Sequence, residues 1–189
     1  MTKAELRKIY REKRSLLTDK ERNKLDDLLL IQFQKLRFPA LQMLMSYCPS
    51  ETHAEPNTWL FTRFLSHMMP GLKTCFPVTA ADGDMKALAV TDETRFELSS
   101  FRVEEPVNGE PVEPQDIDLV FVPMLICDRR GYRVGFGKGY YDRFLAGCRP
   151  DVPKLAFSYF DPVELISDTH QFDIPLTVCI TPGEVIEFG

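Results

Sequence analysis

The sequence predicts an α/β fold, a single domain built on a central, mostly parallel sheet with helices on both faces, and three observations point to it. Apolar runs of strand length alternate along the chain with segments of helical periodicity. The strongest run, Ile117 to Val122, is apolar almost throughout and stops at Pro123, the pattern of a strand covered on both faces. A length of 189 residues, 44% hydrophobic and 27% charged, suits one substantial domain with its own core.

The elements follow in order. Thr2 and Glu5 form a capping box, after which Leu6, Ile9, Tyr10 and Leu17 recur at helical spacing. A second box, Thr18 with Glu21, opens a segment carrying Leu25, Leu28, Leu29 and Leu36, which Pro39 ends. The entry is therefore two helices or one bent helix. Leu41 to Tyr47 reads as a buried strand, Glu55 to Met69 as a helix, and Leu72 to Val78 as a strand stopped by Pro77 and the Asp82-Gly83-Asp84 turn. Met85 to Val90 and Arg95 to Leu98 form a candidate peripheral hairpin. Val103 to Pro114, rich in proline and acid, reads as a surface loop. Beyond Pro123, a helix is expected from Tyr140 to Leu145. Strands are expected at Lys154 to Phe157, Val178 to Thr181 and Val185 to Phe188.

A net charge of −5 argues against non-specific nucleic-acid binding, which needs a summed positive field. No apolar run approaches the roughly 20 residues that span a bilayer, and the charged N-terminus lacks the apolar stretch of a secretory signal. The five cysteines form no C-x-x-C pair, so buried reduced thiols and a cytoplasmic setting are expected.

The richest local signal is Arg133-Val-Gly135-Phe136-Gly137-Lys138-Gly139-Tyr140-Tyr141-Asp142. Glycine at every second position lets backbone N–H groups approach an anion, and Arg133 and Lys138 add fixed positive charge. A helix starting near Gly139 would turn its positive end toward the same ligand. The pattern is neither a Walker A loop nor G-x-G-x-x-G, because Tyr132 and Tyr140 fall where those motifs need glycine. A plain flexible turn would also carry three glycines. The distance from Pro123 to the expected helix exceeds ordinary connections, however, and favours a phosphate cradle.

The block Asp118-Leu-Val-Phe-Val-Pro123 followed by Gly131-Tyr-Arg-Val-Gly-Phe-Gly-Lys-Gly-Tyr-Tyr-Asp-Arg-Phe-Leu145 resembles the 5-formyltetrahydrofolate cyclo-ligases. Lys3 with Arg7, Glu55 with Thr58, Phe76-Pro77, Met85 and Asp173 extend the resemblance along most of the chain. It implies a fold of the NagB/RpiA/CoA-transferase kind. It also implies Mg²⁺-dependent use of ATP to convert 5-formyltetrahydrofolate into 5,10-methenyltetrahydrofolate, ADP and phosphate.

On the same basis Lys3, Arg7, Arg133, Gly135, Phe136, Gly137, Lys138, Gly139, Tyr140 and Tyr141 would hold ATP, with Arg133 and Lys138 offsetting charge on the transferring phosphoryl group. Arg7, Glu55, Met85 and Tyr140 would meet the folate, and Asp142 and Asp173 would hold Mg²⁺. Phe101 stands where relatives commonly show Trp, and the Tyr47–Glu55 stretch is longer than in many of them. His53, His67 and His170 lack metal-ligand spacing and are given no role. A monomer acting on a small-molecule substrate, without nucleic-acid or membrane partners, is expected. The rival readings are a silent nucleotide- or folate-binding module and a sugar-phosphate or acyl-CoA enzyme of related fold.

Overall fold

A computed structural model describes residues 1–80, 84–99 and 102–189. Two helices open the chain, α1 (Lys3–Ser15) and α2 (Asp19–Phe33), and each starts with the expected reciprocal capping box. Strand β1 (Met43–Met45), helix α3 (Thr58–Met68), and strands β2 (Lys73–Thr79) and β3 (Met85–Ala89) follow. Next come β4 (Phe96–Leu98), β5 (Glu104–Pro106), β6 (Glu110–Val112), β7 (Leu119–Phe121), β8 (Ile126–Cys127) and β9 (Arg133–Val134). Helix α4 (Tyr140–Ala146) and strands β10 (Lys154–Phe157), β11 (Val178–Ile180) and β12 (Val185–Glu187) complete the order.

The main sheet runs β12-β11-β10-β7-β1-β2-β3-β6. Its five central strands, from β11 to β2, are parallel, and the antiparallel β12, β3 and β6 close the edges. Strand β7, the strongest run in the sequence, lies between β1 and β10. Asp118 ties its start to β1 by accepting the N–H groups of Gln42 and Met43 on one oxygen and the Arg149 guanidinium on the other.

Strand alternation divides the core in two. Leu44, Leu119, Phe121, Leu155 and Phe157 face α2 and α3, where Phe33 touches the rings of Phe61, Phe121 and Phe157. Met45, Val120 and Ala156 point the other way, toward Phe144 and Leu145 of α4. Helices thus cover both faces, as expected. A third cluster packs Leu6 and Tyr10 of α1 on Leu125, Ile126 and Val134 of the β8–β9 hairpin. All five cysteines are buried and free.

Several boundaries differ from the sequence reading. Pro77 does not stop β2 but sits inside it, opposite Ala87. Its missing N–H would point toward β1, and the β1–β2 ladder ends there, its last bond running from Ser46 N–H to the Cys75 carbonyl. Residues 85–89 and 96–98 do not form a hairpin with each other: β3 joins the main sheet and β4 pairs with β5. The expected 103–114 loop contains β5 and the edge strand β6, because backbone pairing outweighs the weak strand propensity of its acids and prolines. The segment between β7 and α4 is not bare loop, since it holds β8 and β9. Asp82 and Gly83, in the turn read after β2, and Phe101 lie outside the described residues.

Candidate active site

A cavity of about 540 Å³ opens beyond the carboxyl ends of the parallel strands, where open α/β sheets place ligands. Tyr47, just past β1, Thr79, at the end of β2, and Pro123, just past β7, line its inner side.

One wall is cationic. Lys3, Arg7 and Arg11 recur every four residues on α1 and share a face turned to the cavity. Lys3 Nζ is 2.5 Å from Asp173 Oδ2, and Arg7 Nε donates to the Gly135 carbonyl at 3.0 Å. The β8–β9 hairpin supports the facing loop. The fully buried Asp128 accepts the N–H groups of Arg130, Tyr132 and Ile166, which fixes the turn. Arg133, at the end of this support, is buried, donates to the Ile174 carbonyl and pairs with Asp142 Oδ1 at 2.9 Å.

Gly137 and Gly139 have φ of +97° and +70°, a conformation only glycine adopts without strain, and a Cβ on Gly137 would sit 3.4 Å from the Arg7 guanidinium. Gly135 has no such requirement, so the every-second-glycine pattern reflects backbone strain at two of its three positions. Lys138 is exposed at the rim. Helix α4 has only seven residues, so side-chain cations rather than a helix dipole dominate this wall.

The opposite wall is enclosed and mostly neutral. A 3-10 turn (Glu51–His53) and Ala54 at φ 46° fold the chain back, so that Glu55 accepts the Ser50 N–H on Oε2 at 2.8 Å. Glu55 precedes α3 rather than starting it. Burial raises its pKa, and the Ser50 N–H and the Arg14 charge offset this only in part. His53 Nδ1 lies 2.8 Å from Ser50 Oγ, and its ring meets Phe136 at 4.7 Å while Arg11 lies over the same ring at 5.7 Å. Burial and the neighbouring Arg11 and Arg14 lower the pKa of His53. Cys48 also lines the cavity, but burial pushes its thiol up to about 12, so it supplies no thiolate nucleophile at neutral pH.

Asp173 also accepts the His170 N–H, at 2.6 Å. Burial would raise its pKa, but Lys3 and that N–H more than offset this and hold it below the ordinary carboxylate value. Among the described residues, no three or more His, Cys, Asp or Glu side chains gather as metal ligands.

Every residue singled out from the sequence lines this cavity except Met85, which packs against the core cluster shared by Met45 and Val120. Met85 pairs with Thr79 across the sheet, and Thr79 is the residue that reaches the cavity. Sequence reasoning missed Arg11, which continues the Lys3/Arg7 spacing and was legible in it. It also missed His53 and Glu105. Glu105 is held to β2 by Thr79 Oγ1 at 2.9 Å, a long-range contact without a sequence signal.

A cavity at the strand ends, with cations on one wall and a buried carboxylate on the other, has the build of an α/β enzyme cleft. Residues 1–174 match the model of the 5-formyltetrahydrofolate cyclo-ligase family, and the chain belongs to that family. It is similar to the 5-formyltetrahydrofolate cyclo-ligase of Mycoplasma genitalium, with 29% identity over 94% of this chain and 97% of that one. The mouse 5-formyltetrahydrofolate cyclo-ligase is 30% identical over 48% of this chain and 50% of its own. Among solved structures, the NMR structure of Aquifex aeolicus 5,10-methenyltetrahydrofolate synthetase superposes with a TM-score of 0.80. It is 30% identical and covers 99% of this chain and 93% of that one. A 5,10-methenyltetrahydrofolate synthetase from Mycoplasma pneumoniae, 24% identical, shares the fold with a TM-score of 0.74 over 95% of this chain and 98% of its own. Among the described residues, no helix is long and apolar enough to cross a membrane.

Proposed function

We propose that this chain, acting through one domain over residues 1–189, catalyses the ATP- and Mg²⁺-dependent closure of 5-formyltetrahydrofolate to 5,10-methenyltetrahydrofolate, with release of ADP and phosphate. The reading is supported above all by the convergence of Lys3, Arg7, Arg133, Lys138, Asp142 and Glu55 on one cavity in a chain of this family.

The formyl oxygen is a poor leaving group. Phosphorylating it turns it into phosphate, which leaves as N10 attacks the formyl carbon and sheds its proton. Such chemistry asks a protein for positioning and charge compensation rather than a nucleophile. Lys3, Arg7 and Lys138 bind the triphosphate, and the glycines admit backbone N–H groups beside it. Arg133, fixed by Asp142 and Ile174, holds its charge where the phosphoryl group transfers, and Lys138 adds a mobile one. Phe136, Tyr140 and Tyr141 line the space between nucleotide and folate. Glu55 accepts N–H donors of the reduced pterin, and Arg7 reaches both ligands.

Mg²⁺ fits the acids present. Asp142 uses Oδ1 for Arg133 and Ile174, and Asp173 uses Oδ2 for Lys3 and His170, so each keeps a second oxygen for a cation. One or two carboxylates suffice where phosphate oxygens and water complete the shell. Mg²⁺ would supply charge neutralisation of the phosphates. A monomeric, cytoplasmic enzyme without nucleic-acid partners completes the reading.

The deciding assay mixes the protein with 5-formyltetrahydrofolate and Mg²⁺, with and without ATP, and follows the near-ultraviolet absorbance of the conjugated methenyl product. ATP-dependent growth of that band is expected. Nucleotide or folate binding without turnover would instead identify a silent binding module.

A further inference from the structure

Helix α1 carries three cations toward the cavity, and the last of them takes no part in the reaction scheme. Lys3 is held by Asp173 at 2.5 Å and Arg7 by the Gly135 carbonyl at 3.0 Å, both on the loop side. Arg11 lies one turn further along, about 6 Å from Arg7 by the helical rise, and is exposed. Among the described residues no carboxylate or carbonyl takes its N–H groups; its guanidinium stands over the Phe136 ring instead, 5.7 Å from the centroid. A cation–π contact places the head without consuming its donors, so the planar fork stays open to a ligand.

The same ring joins Arg11 to the wall that ends in Glu55. Phe136 meets His53 edge-on, with 4.7 Å between centroids and planes at 60°. His53 is anchored in turn by Nδ1, 2.8 Å from Ser50 Oγ. Arg11, Phe136, His53, Ser50 and Glu55 all line the cavity. Exposure rises along this path: Glu55 and Ser50 are buried, His53 and Phe136 are half-buried, and Arg11 is exposed. The path therefore leads from an enclosed acceptor, past two rings, to an open cation at the mouth.

That order matches the proposed substrate. 5-Formyltetrahydrofolate has a pterin rich in N–H donors at one end, an aminobenzoyl ring in the middle and a glutamate with two carboxylates at the other end. Burying free carboxylates is costly, so the tail belongs at the wet end of the cavity. We propose that Arg11 is a specificity-determining residue of the folate site: its guanidinium, placed over Phe136, takes a carboxylate of the glutamate tail while the aminobenzoyl ring lies along Phe136 and His53. The proposal rests on the folate reading of the cavity and adds to it which end of the substrate faces out. A guanidinium can grip a carboxylate with two parallel N–H bonds, whereas an ammonium supplies the charge without the fork. The rival use of Arg11, as a third cation for the triphosphate, would make it sensitive to the nucleotide and indifferent to the tail.

The test crosses the residue with the tail. Titration calorimetry gives Kd for 5-formyltetrahydrofolate and for 5-formyltetrahydropteroate, which lacks the glutamate, in the wild type, Arg11→Gln and Arg11→Lys. Glutamine keeps the helix propensity of this exposed position, so the variant folds. In the wild type, loss of the glutamate should weaken binding about tenfold. In Arg11→Gln the intact folate should bind about tenfold more weakly, and removing its glutamate should then change little. Arg11→Lys should regain part of the discrimination, and ATP KM should stay put in both variants. ATP-dependent turnover by the wild type tests the folate reading separately. Turnover with equal sensitivity to the glutamate in all three proteins would sink the role of Arg11 alone. A wild type that neither binds nor converts folate would sink both readings. A raised ATP KM with tail discrimination intact would assign Arg11 to the triphosphate and overturn the proposal.

Discussion

The wall from Arg133 to Asp142 and the wall from Tyr47 to Glu55 face each other across one cavity, but they hold their charges differently. On the first, opposite charges meet directly: Arg133 pairs with Asp142 at 2.9 Å, and Lys3, from α1, with Asp173 at 2.5 Å. On the second, the carboxylate of Glu55 is buried and accepts the Ser50 backbone N–H. Close pairs hold cations and acids in place, where the proposed phosphates and Mg²⁺ would compete for them. A buried carboxylate bonded to a backbone donor through one oxygen keeps acceptor capacity for a ligand with N–H donors. The difference matches the two ligands proposed for the cavity, one polyanionic and one a neutral ring system.

Substitutions can break or sharpen this contrast. The largest effect is expected from Arg133→Ala. It should cost on the order of 2–4 kcal/mol of transition-state stabilisation in kcat/KM, read by steady-state kinetics. It should also lower the melting temperature, because Asp142 loses its closest cation. Lys138→Ala removes a charge at the exposed rim. A loss of roughly 1–2 kcal/mol in kcat/KM with an unchanged melting temperature is expected, within the range of charge-assisted contacts. Equal stability losses in the two variants would erase the distinction between the buried and the exposed cation.

Glu55→Gln addresses the opposite wall alone. It should raise folate KM by about tenfold, roughly 1.4 kcal/mol, while ATP KM stays put. A parallel rise in ATP KM would show that the walls do not serve separate ligands. The smallest effect is expected from Met85→Ala. Its side chain packs against the core and does not line the cavity. Folate KM should therefore stay within about twofold while thermal stability falls modestly, as for a partly buried large-to-small change. A large rise in folate KM would return Met85 to the site.

The two walls also differ in how far the sequence revealed them. The loop wall was legible because its parts lie within ten consecutive positions, from Arg133 to Asp142, and their chemistry is local. The capping boxes of α1 and α2 and the run of β7 were legible for the same reason. The second wall needed Tyr47, Ser50, His53 and Glu55 to be folded back on one another at Ala54 and set against Arg11 of α1. Neither periodicity nor spacing encodes that encounter. The acid- and proline-rich stretch between Val103 and Pro114 misled because a strand at a sheet edge needs only backbone partners, which composition does not report.

Taken alone, the chain's order of residues determined its class: alternating strands and helices, a parallel centre on β7, capped entry helices and a cation-rich glycine loop. These follow from interactions among neighbours a few positions apart, which the fold inherits unchanged. Tertiary structure decided which charges meet, which acid is buried and which methionine is core rather than site. Those outcomes depend on burial and on distances between segments far apart in the chain, and such quantities exist only once the sheet has assembled.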